Sequence, residues 1–445
     1  MKAFKAYDIR GIYSVDFTKD DVYKIGFFLP RLLQTKKILV GRDIRVSSDE
    51  IHESLTNGIT DAGADVYDLG LATTPMVYYF TAKHHFDASV QITASHNSKE
   101  YNGLKISKTN ALPVGYDTGL NILEQMVENE KIVLSSPKGK IINYFSKDEY
   151  IDFLKEHIKN FSNLNMVVDC SNGMACLMAK TILGEKPFYL NNSLDGTFSS
   201  HEPNPLEAEN IVQLQQAVRE HQADIGIIFD GDADRVMFVD ENSDFISPDL
   251  MIAVLGNYFK EKHANGNVLF DIRTSKSVEE YLTKMGFTAN IWKVGRAFAA
   301  PKLREIDGVF GGELAGHYYF KDFFYSDSGM LACVTLLDIF AKLKREGLTV
   351  SQVIKKIVRY ANSGEINFKI EDKQAAMETI KEYFCNQEQP IKTYDFDGYR
   401  IEFEDWWFNI RPSNTEPYLR FLAEATSQSL LNEKINMVKH LLKQD

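Results

Sequence analysis

The chain has 445 residues, 44% of them apolar and 25% charged, with a net charge of -12. That length exceeds what one hydrophobic core organises, so several domains are expected. The acidic balance excludes a general nucleic-acid surface, which needs a basic face, but leaves room for a local basic pocket around an anionic substrate.

Met1-Lys2-Ala3-Phe4-Lys5 has no apolar core of signal-peptide length. The longest uncharged run, Leu69 to Ala82, falls short of the ~18 residues a spanning helix needs. A cytoplasmic protein with no membrane and no nucleic-acid partner is expected. Cys170, Cys176, Cys333 and Cys385 form no C-x-x-C pair and lie mainly in apolar segments, so buried free thiols are expected rather than disulfides or zinc.

In chain order, Phe4 to Gly11 places an aromatic, an acid and an arginine on one short segment ending in glycine. Ile38-Leu39-Val40 predicts a strand running into Gly41-Arg42-Asp43-Ile44-Arg45, with a helix start at Ser47-Ser48. Ala88 to Ile92 predicts a buried strand, followed by Thr93-Ala94-Ser95-His96-Asn97, an Asn102-Gly103 turn and Leu104-Lys105-Ile106. A serine hydroxyl is thereby carried on a tight polar loop with His96 beside it and Lys105 ten residues on. That is where a nucleophile or phosphate carrier would be placed, although an ordinary polar turn has the same composition.

The strand-then-helix grammar recurs at Met166 to Asp169, leading into Cys170 to Met174, and at Val268 to Phe270, leading into Asp271 to Ser275. It predicts an α/β class built from a repeated unit. Asp-Ile-Arg itself occurs three times, from Asp8, Asp43 and Asp271, which alone is a weak sign of duplication. A helix is expected over 150–161. Boundaries fall near Ser146-Lys147-Asp148, Pro248-Asp249 and Asn362-Ser363-Gly364, giving units 1–147, 148–247, 248–363 and 364–445. The last is expected to be a smaller α+β domain, with strands near 366–370, 398–403 and 406–410, a helix over 375–383 and a final helix after Leu430.

Three segments carry chemistry. Asp230-Gly231-Asp232-Ala233-Asp234-Arg235 lies between expected strands at 225–229 and 236–239. Three carboxylates so spaced repel one another unless a cation lies among them, and a hard oxygen-seeking ion, Mg²⁺ before Ca²⁺, fits best. A solvated acidic turn would look similar, but apolar strands on both sides make exposure awkward. An EF-hand loop shares the opening and would place Glu241 at its twelfth position, yet Arg235 stands where that loop needs glycine. Next, Gly311-Gly312-Glu313-Leu314-Ala315-Gly316-His317 combines a permissive backbone with Glu313 and His317, which can hydrogen-bond sugar hydroxyls. Last, Arg411-Pro412-Ser413-Asn414-Thr415-Glu416-Pro417, with Arg420 beyond, offers a guanidinium fork, hydroxyls and backbone donors to a phosphate, where an N-cap cluster is the plainer alternative.

In this order the segments resemble the phosphohexomutases, most closely their bacterial phosphomannomutase/phosphoglucomutase branch. The resemblance rests on Tyr7 to Gly11, Thr93 to Asn97 with Asn102-Gly103 and Lys105, Asp230 to Arg235, Gly312 to His317 and Arg411 to Pro417. It implies three related α/β domains and a smaller phosphate-binding domain around a central cleft. By that resemblance, Ser95 carries a phosphoryl group, and one Mg²⁺ per chain is held by that phosphate with Asp230, Asp232 and Asp234. The phosphate goes to a hexose monophosphate, mannose or glucose, giving a 1,6-bisphosphate that turns round and returns its other phosphate; glucose or mannose 1,6-bisphosphate is the implied activator.

Arg10 and Lys105 would share the transferring oxygens, and His96, Lys105 and His317 are candidates for the proton of the attacking hydroxyl. Tyr7, Arg235, Lys293, Glu313 and His317 would meet the substrate, while Arg411, Ser413, Asn414, Thr415 and Arg420 would grip the idle phosphate. Three departures bear on substrate preference: Ser98 stands where proline is usual, Ala315 replaces a common serine, and Arg296 stands where histidine is common. A glucosamine-phosphate mutase and a Mg²⁺-dependent phosphatase working through phosphoserine are the alternatives.

Overall fold

The computed structural model describes residues 1–144, 147–413 and 418–443. In the first unit, strands run across the sheet in the order Ile9–Ile12, Tyr101–Lys108, Ala88–Ile92, Lys37–Arg42, Asp65–Leu71 and Ile141–Asn143, with Leu112–Pro113 beside Tyr101–Lys108. Lys37–Arg42 is central and parallel to Asp65–Leu71 and Ala88–Ile92, and Ala88–Ile92 turns back into antiparallel Tyr101–Lys108. Every residue of Ala88–Ile92 is buried, as in strands covered on both faces.

The same plan is repeated twice. Met166–Asp169 lies between parallel Phe188–Leu190 and Ile225–Phe229, and the latter pairs antiparallel with Val236–Asp240. Asn267–Asp271 lies between parallel Thr288–Trp292 and Phe310–Gly312, and the latter pairs antiparallel with Tyr318–Phe320. The chain is therefore built from three α/β units plus a C-terminal antiparallel sheet. The repeat extends to side chains. Asp43, Asp169 and Asp271, at the end of each central strand, each accept the backbone N–H two residues on, at 3.0, 2.8 and 2.7 Å. More important, the serine, aspartate and glutamate loops all occupy one topological place, the link between the third strand of a unit and its antiparallel partner.

One apolar cluster runs from Leu39 through Val168 and Phe229 to Phe310 and Leu337, so the first three units share a core. The fourth has its own, in which Phe408 and Phe421 of the sheet meet Ile380 and Phe384 of helix Lys373–Gln387 and Val438 of helix Gln428–Leu441. Polar contacts join it to the third unit. Arg400 Nη1 donates to the Ile272 and Thr274 carbonyls at 3.0 and 2.7 Å, Glu424 accepts from Lys276 N at 3.0 Å, and Asp397 accepts from Val294 N at 2.9 Å.

Some elements differ from the sequence-based expectation. The helix expected over 150–161 runs Lys147–Glu156, and the C-terminal helix expected over 375–383 runs Lys373–Gln387 from an Asp372 cap. Helix Thr74–Lys83 was missed because Thr74 to Ala82 are all buried, which leaves no amphipathic period. Its signals are at its start, where Thr73 caps Met76 N and Pro75 lies in the first turn. Of the four cysteines, all free, Cys170 and Cys333 are buried and Cys176 and Cys385 half-buried. Among the described residues, no helix is long and apolar enough to cross a membrane.

Candidate active site

Ser95 holds a left-handed backbone, φ 53°, an uncommon state for a non-glycine residue that its surroundings must enforce. Its N–H donates to Thr93 Oγ1 at 2.9 Å, and its hydroxyl donates to Asp230 Oδ2 at 2.8 Å. His96 Nδ1 is 3.4 Å from the same hydroxyl. Burial, then the cations Arg235, Arg10 and Lys105, press the His96 imidazole well below its ordinary pKa, so it is neutral here. Arg10 Nη1 donates to Asn97 Oδ1 at 2.9 Å and pairs with Asp8.

The aspartate loop meets this serine loop edge to edge. A Cβ at Gly231 would stand 2.5 Å from the Ser95 carbonyl oxygen, so only glycine permits the approach. Lys105 Nζ, brought across from the first unit, lies 2.7 Å from Asp232 Oδ2 and 2.5 Å from Asp234 Oδ2. Thr74 Oγ1 also donates to Asp232, and Thr74 N to the Asp232 carbonyl at 3.1 Å. Burial pulls the Lys105 ammonium down, but Asp232 and Asp234 more than offset it, and its pKa lies above the usual lysine value. Burial, with Asp234 and Asp232 beside it, pushes Asp230 well above the carboxylate range.

The three aspartates offer oxygens within 4.8 Å of one another. Asp232 Oδ1 and Asp234 Oδ1 are buried with no hydrogen-bond partner among the described residues. Buried orphan carboxylate oxygens carry a large penalty unless a cation meets them. This donor set therefore fits a hard divalent ion.

The glutamate loop closes over the same place. His317 Nδ1 donates to Asp327 Oδ2 at 2.7 Å, which leaves Nε2 as an acceptor, and Arg235 Nε donates to it at 3.0 Å. Glu313 accepts from Tyr319 Oη at 2.5 Å and from Gly295 N at 3.1 Å. Lys293 Nζ lies 5.3 Å from the Phe298 ring centroid, and Phe298 meets the Tyr7 ring edge-on at 5.7 Å. Leu314 N donates to Asp271 Oδ2 at 2.8 Å. Asp271 in turn holds Arg273 through both oxygens, at 3.1 and 2.8 Å.

Arg273 begins a second basic cluster. Its Nη1 is 3.7 Å from Glu365, which also accepts from Arg420 Nη1 at 2.8 Å. Arg420 pairs in register with Arg411 across the C-terminal sheet. Arg411 is buried, its nearest paired carboxylate oxygen is 3.8 Å away on Asp397, and its Nε has no partner among the described residues. Burial and the neighbouring Arg273 lower its pKa. Ser413 N donates to the Tyr418 carbonyl at 2.9 Å; Asn414 and Thr415 lie outside the described residues.

Residues 1–132, 148–243, 247–360 and 365–440 match, in order, the phosphoglucomutase/phosphomannomutase alpha/beta/alpha domains I, II and III and the C-terminal domain. The chain belongs to the phosphoglucomutase/phosphomannomutase family. This is an enzyme family. The chain is 34% identical to a phosphomannomutase of Methanocaldococcus jannaschii over 99% of this chain and 98% of that protein. Identity to a phosphohexose mutase of Xanthomonas campestris is 32%, over 100% and 99%. A crystal structure of a phosphoglucomutase/phosphomannomutase family protein from Burkholderia thailandensis superposes with a TM-score of 0.88 at 26% identity, over 99% of this chain and 97% of that one.

Within this mutase framework, sequence reasoning passed over Arg45. Its guanidinium is fully buried and donates to the carbonyls of Ser98, Tyr101, Ser95 and Asn97 at 2.6, 3.0, 2.9 and 2.6 Å. Asp43 Oδ2 pairs with Nε at 3.1 Å. The repeated Asp-Ile-Arg tripeptide was the visible signal for Arg45 and Arg273. Nothing local points to Thr74.

Proposed function

We propose that this protein interconverts hexose 1-phosphate and hexose 6-phosphate, with mannose the first sugar and glucose the second, through phosphoserine at Ser95 and a 1,6-bisphosphate intermediate. The observation that carries this reading is a pair of anion-handling sites joined by one loop. At one end Ser95 meets Asp230; at the other stands the Arg411, Arg420 and Arg273 cluster, and the loop holding Glu313 and His317 reaches both.

The phosphoryl group leaves Ser95 Oγ as the P–O(Ser) bond breaks and a P–O bond forms to the free hydroxyl of the hexose phosphate. The hydroxyl proton passes to a base, and the released Ser95 oxygen takes up a proton to return to the hydroxyl seen here. Lys105 is an ammonium clamped between two aspartates, which leaves His96, 3.4 Å from the Ser95 hydroxyl, and His317, whose Nε2 must first give up the Arg235 N–H. The steps run in reverse on the bisphosphate after it turns round. Asp230, Asp232 and Asp234, with the phosphorylated Ser95, would hold Mg²⁺, which when bound supplies charge neutralisation for the phosphoryl oxygens. Arg10 and Lys105 add positive charge at the same oxygens. Glu313, Lys293 and Tyr7 orient the sugar, and Arg411, Ser413 and Arg420 hold the phosphate that is not reacting.

The test is turnover of the 1-phosphates of mannose, glucose and glucosamine with a trace of hexose 1,6-bisphosphate as activator, following isomer and inorganic phosphate together. Isomer formation, fastest for mannose, is expected; phosphate release without isomer would select a phosphatase and overturn the reading, and a preference for glucosamine would correct the sugar.

Two variants test its parts. Asp232→Asn removes one charge from a hard-cation site while keeping its shape, so the half-saturating Mg²⁺ concentration is expected to rise and turnover to fall steeply, with partial rescue by excess Mg²⁺. Full activity under thorough chelation would show that the aspartates serve another purpose. Arg411→Ala removes a charge-assisted phosphate contact of about 1.5–3 kcal/mol. Its kcat/KM should drop roughly ten- to hundredfold from either end of the reaction, with Ser95 still phosphorylated. Wild-type kcat/KM in both directions would place the phosphate grip elsewhere.

A further inference from the structure

Arg296 stands at the start of helix Arg296–Glu305, just after Gly295, whose φ of 108° turns the chain into it. Its guanidinium is engaged by protein groups on several sides. Nε donates to Asp327 Oδ1 at 3.1 Å, Nη2 donates to the Ala111 carbonyl at 2.6 Å, and Cζ lies 3.6 Å from the Tyr78 ring centroid. Asp327 is fully buried, and its other oxygen is the one that accepts from His317 Nδ1. With a longer bond from Nη2 to Ser326 Oγ at 3.4 Å, two of the four contacts cross units, since Ala111 and Tyr78 belong to the first and Asp327 and Ser326 to the third. Tyr78 lies on helix Thr74–Lys83, whose first residue bonds Asp232. One cation thus joins the helix that steadies the aspartate loop to the carboxylate that steadies His317.

The consequence is chemical. An imidazole presents a lone pair at Nε2 only while Nδ1 keeps its proton; here Arg235 Nε donates to Nε2 and Asp327 Oδ2 accepts from Nδ1, so both partners hold that form and Asp327 sets the direction of the Nδ1–H bond. Asp327 can be that partner in one orientation because Arg296 occupies its second oxygen. Without the guanidinium, a buried carboxylate oxygen would be left without this donor, and the Asp327 plane would be free to turn.

We propose that Arg296 is a positioning residue, which through Asp327 anchors the Nδ1–H bond of His317 and through Tyr78 and Ala111 fixes the third unit against the first. The kinetic side rests on the mutase reading above; the strength of the His317–Asp327 bond does not. A direct sugar ligand at this position would act through KM, whereas a positioning residue acts through kcat.

The experiment compares Arg296→Ala, Arg296→Lys, Asp327→Asn and the Arg296→Ala/Asp327→Asn double variant. With hexose 1-phosphate and activator, Arg296→Ala should lower kcat roughly ten- to hundredfold while KM stays within about twofold. The double variant should be no slower than Asp327→Asn alone, because both act on one chain of contacts. Millimolar guanidinium should restore part of the kcat of Arg296→Ala and none of that of Asp327→Asn. Should Arg296→Ala lose its cooperative unfolding, Arg296→Lys carries the same comparison of kcat and KM.

Independently of turnover, nitrogen NMR of the labelled Mg²⁺-loaded protein should show His317 protonated at Nδ1, assigned by its loss in His317→Gln. In Arg296→Ala its Nδ1 proton should move upfield and exchange faster with water, because the bond to Asp327 loosens while Arg235 still holds Nε2. A raised KM with unchanged kcat, additive losses in the double variant, or an unaltered Nδ1–H signature would each overturn the proposal. A wild type that turns over no hexose phosphate would fail the mutase reading alone, with the NMR comparison still deciding for or against Arg296.

Discussion

Ser95→Ala is expected to abolish the phosphoenzyme and nearly all turnover. Intact-mass measurement of freshly purified wild type should show a species heavier by one phosphoryl group, and the variant should lack it. Removing a covalent nucleophile costs on the order of 10⁴-fold or more in rate, because the positioning and charge that remain have no group to act on. The variant should stay folded. Its loop is held by Arg45 through backbone carbonyls, and the serine hydroxyl contributes one bond to Asp230 and a longer one with His96. An unshifted midpoint of unfolding alongside lost turnover separates lost chemistry from lost structure. Near-normal mutase activity in this variant would end the phosphoserine mechanism.

Arg45→Met should do the converse, acting first on stability and through it on the serine loop. The replaced guanidinium is fully buried and satisfies four carbonyls and Asp43. Methionine keeps much of the volume but leaves a buried carboxylate and those carbonyls unpaired. Removing one partner of a buried pair destabilises by about 3–5 kcal/mol, a large share of the roughly 5–15 kcal/mol that holds a typical protein folded. Denaturant unfolding should report a lower midpoint. Ser95, released from its left-handed backbone, should carry less phosphate. Arg45→Lys should recover part of the loss, since an ammonium cannot reach four carbonyls in the plane of a guanidinium fork. Wild-type stability in Arg45→Met would show that the loop is held by the Asp230 contact instead.

Arg45 also marks the limit of reading along the chain. Asp8-Ile9-Arg10, Asp43-Ile44-Arg45 and Asp271-Ile272-Arg273 are the same three residues, yet the structure sends their arginines to different tasks. Arg10 meets Asn97 on the serine loop, Arg45 cages that loop from behind, and Arg273 folds back on Asp271 beside the Arg411 cluster. A tripeptide cannot distinguish these, because what differs is the partner. The helix Thr74–Lys83 was hidden for a related reason. Burial on all sides removes the polar face whose spacing announces a helix, and only its Thr73 cap and Pro75 remain as signals.

The amino-acid sequence by itself determined the three loops, the repeated strand grammar around them and the kind of chemistry each can perform. Those properties are short-range. A glycine where backbones nearly touch, alternating aspartates between two apolar strands and a serine on a tight turn are all written within a few residues. Tertiary structure alone decided which loops meet. Ser95 and Asp230 are separated by 135 positions, Lys105 and Asp234 by 129, Arg235 and His317 by 82, and Arg296 and Ala111 by 185. Such pairs form because three units of one topology place the same loop at the same strand end and then bury a common core. The energies that fix those contacts, desolvated charge against opposite charge, exist only once water has been excluded.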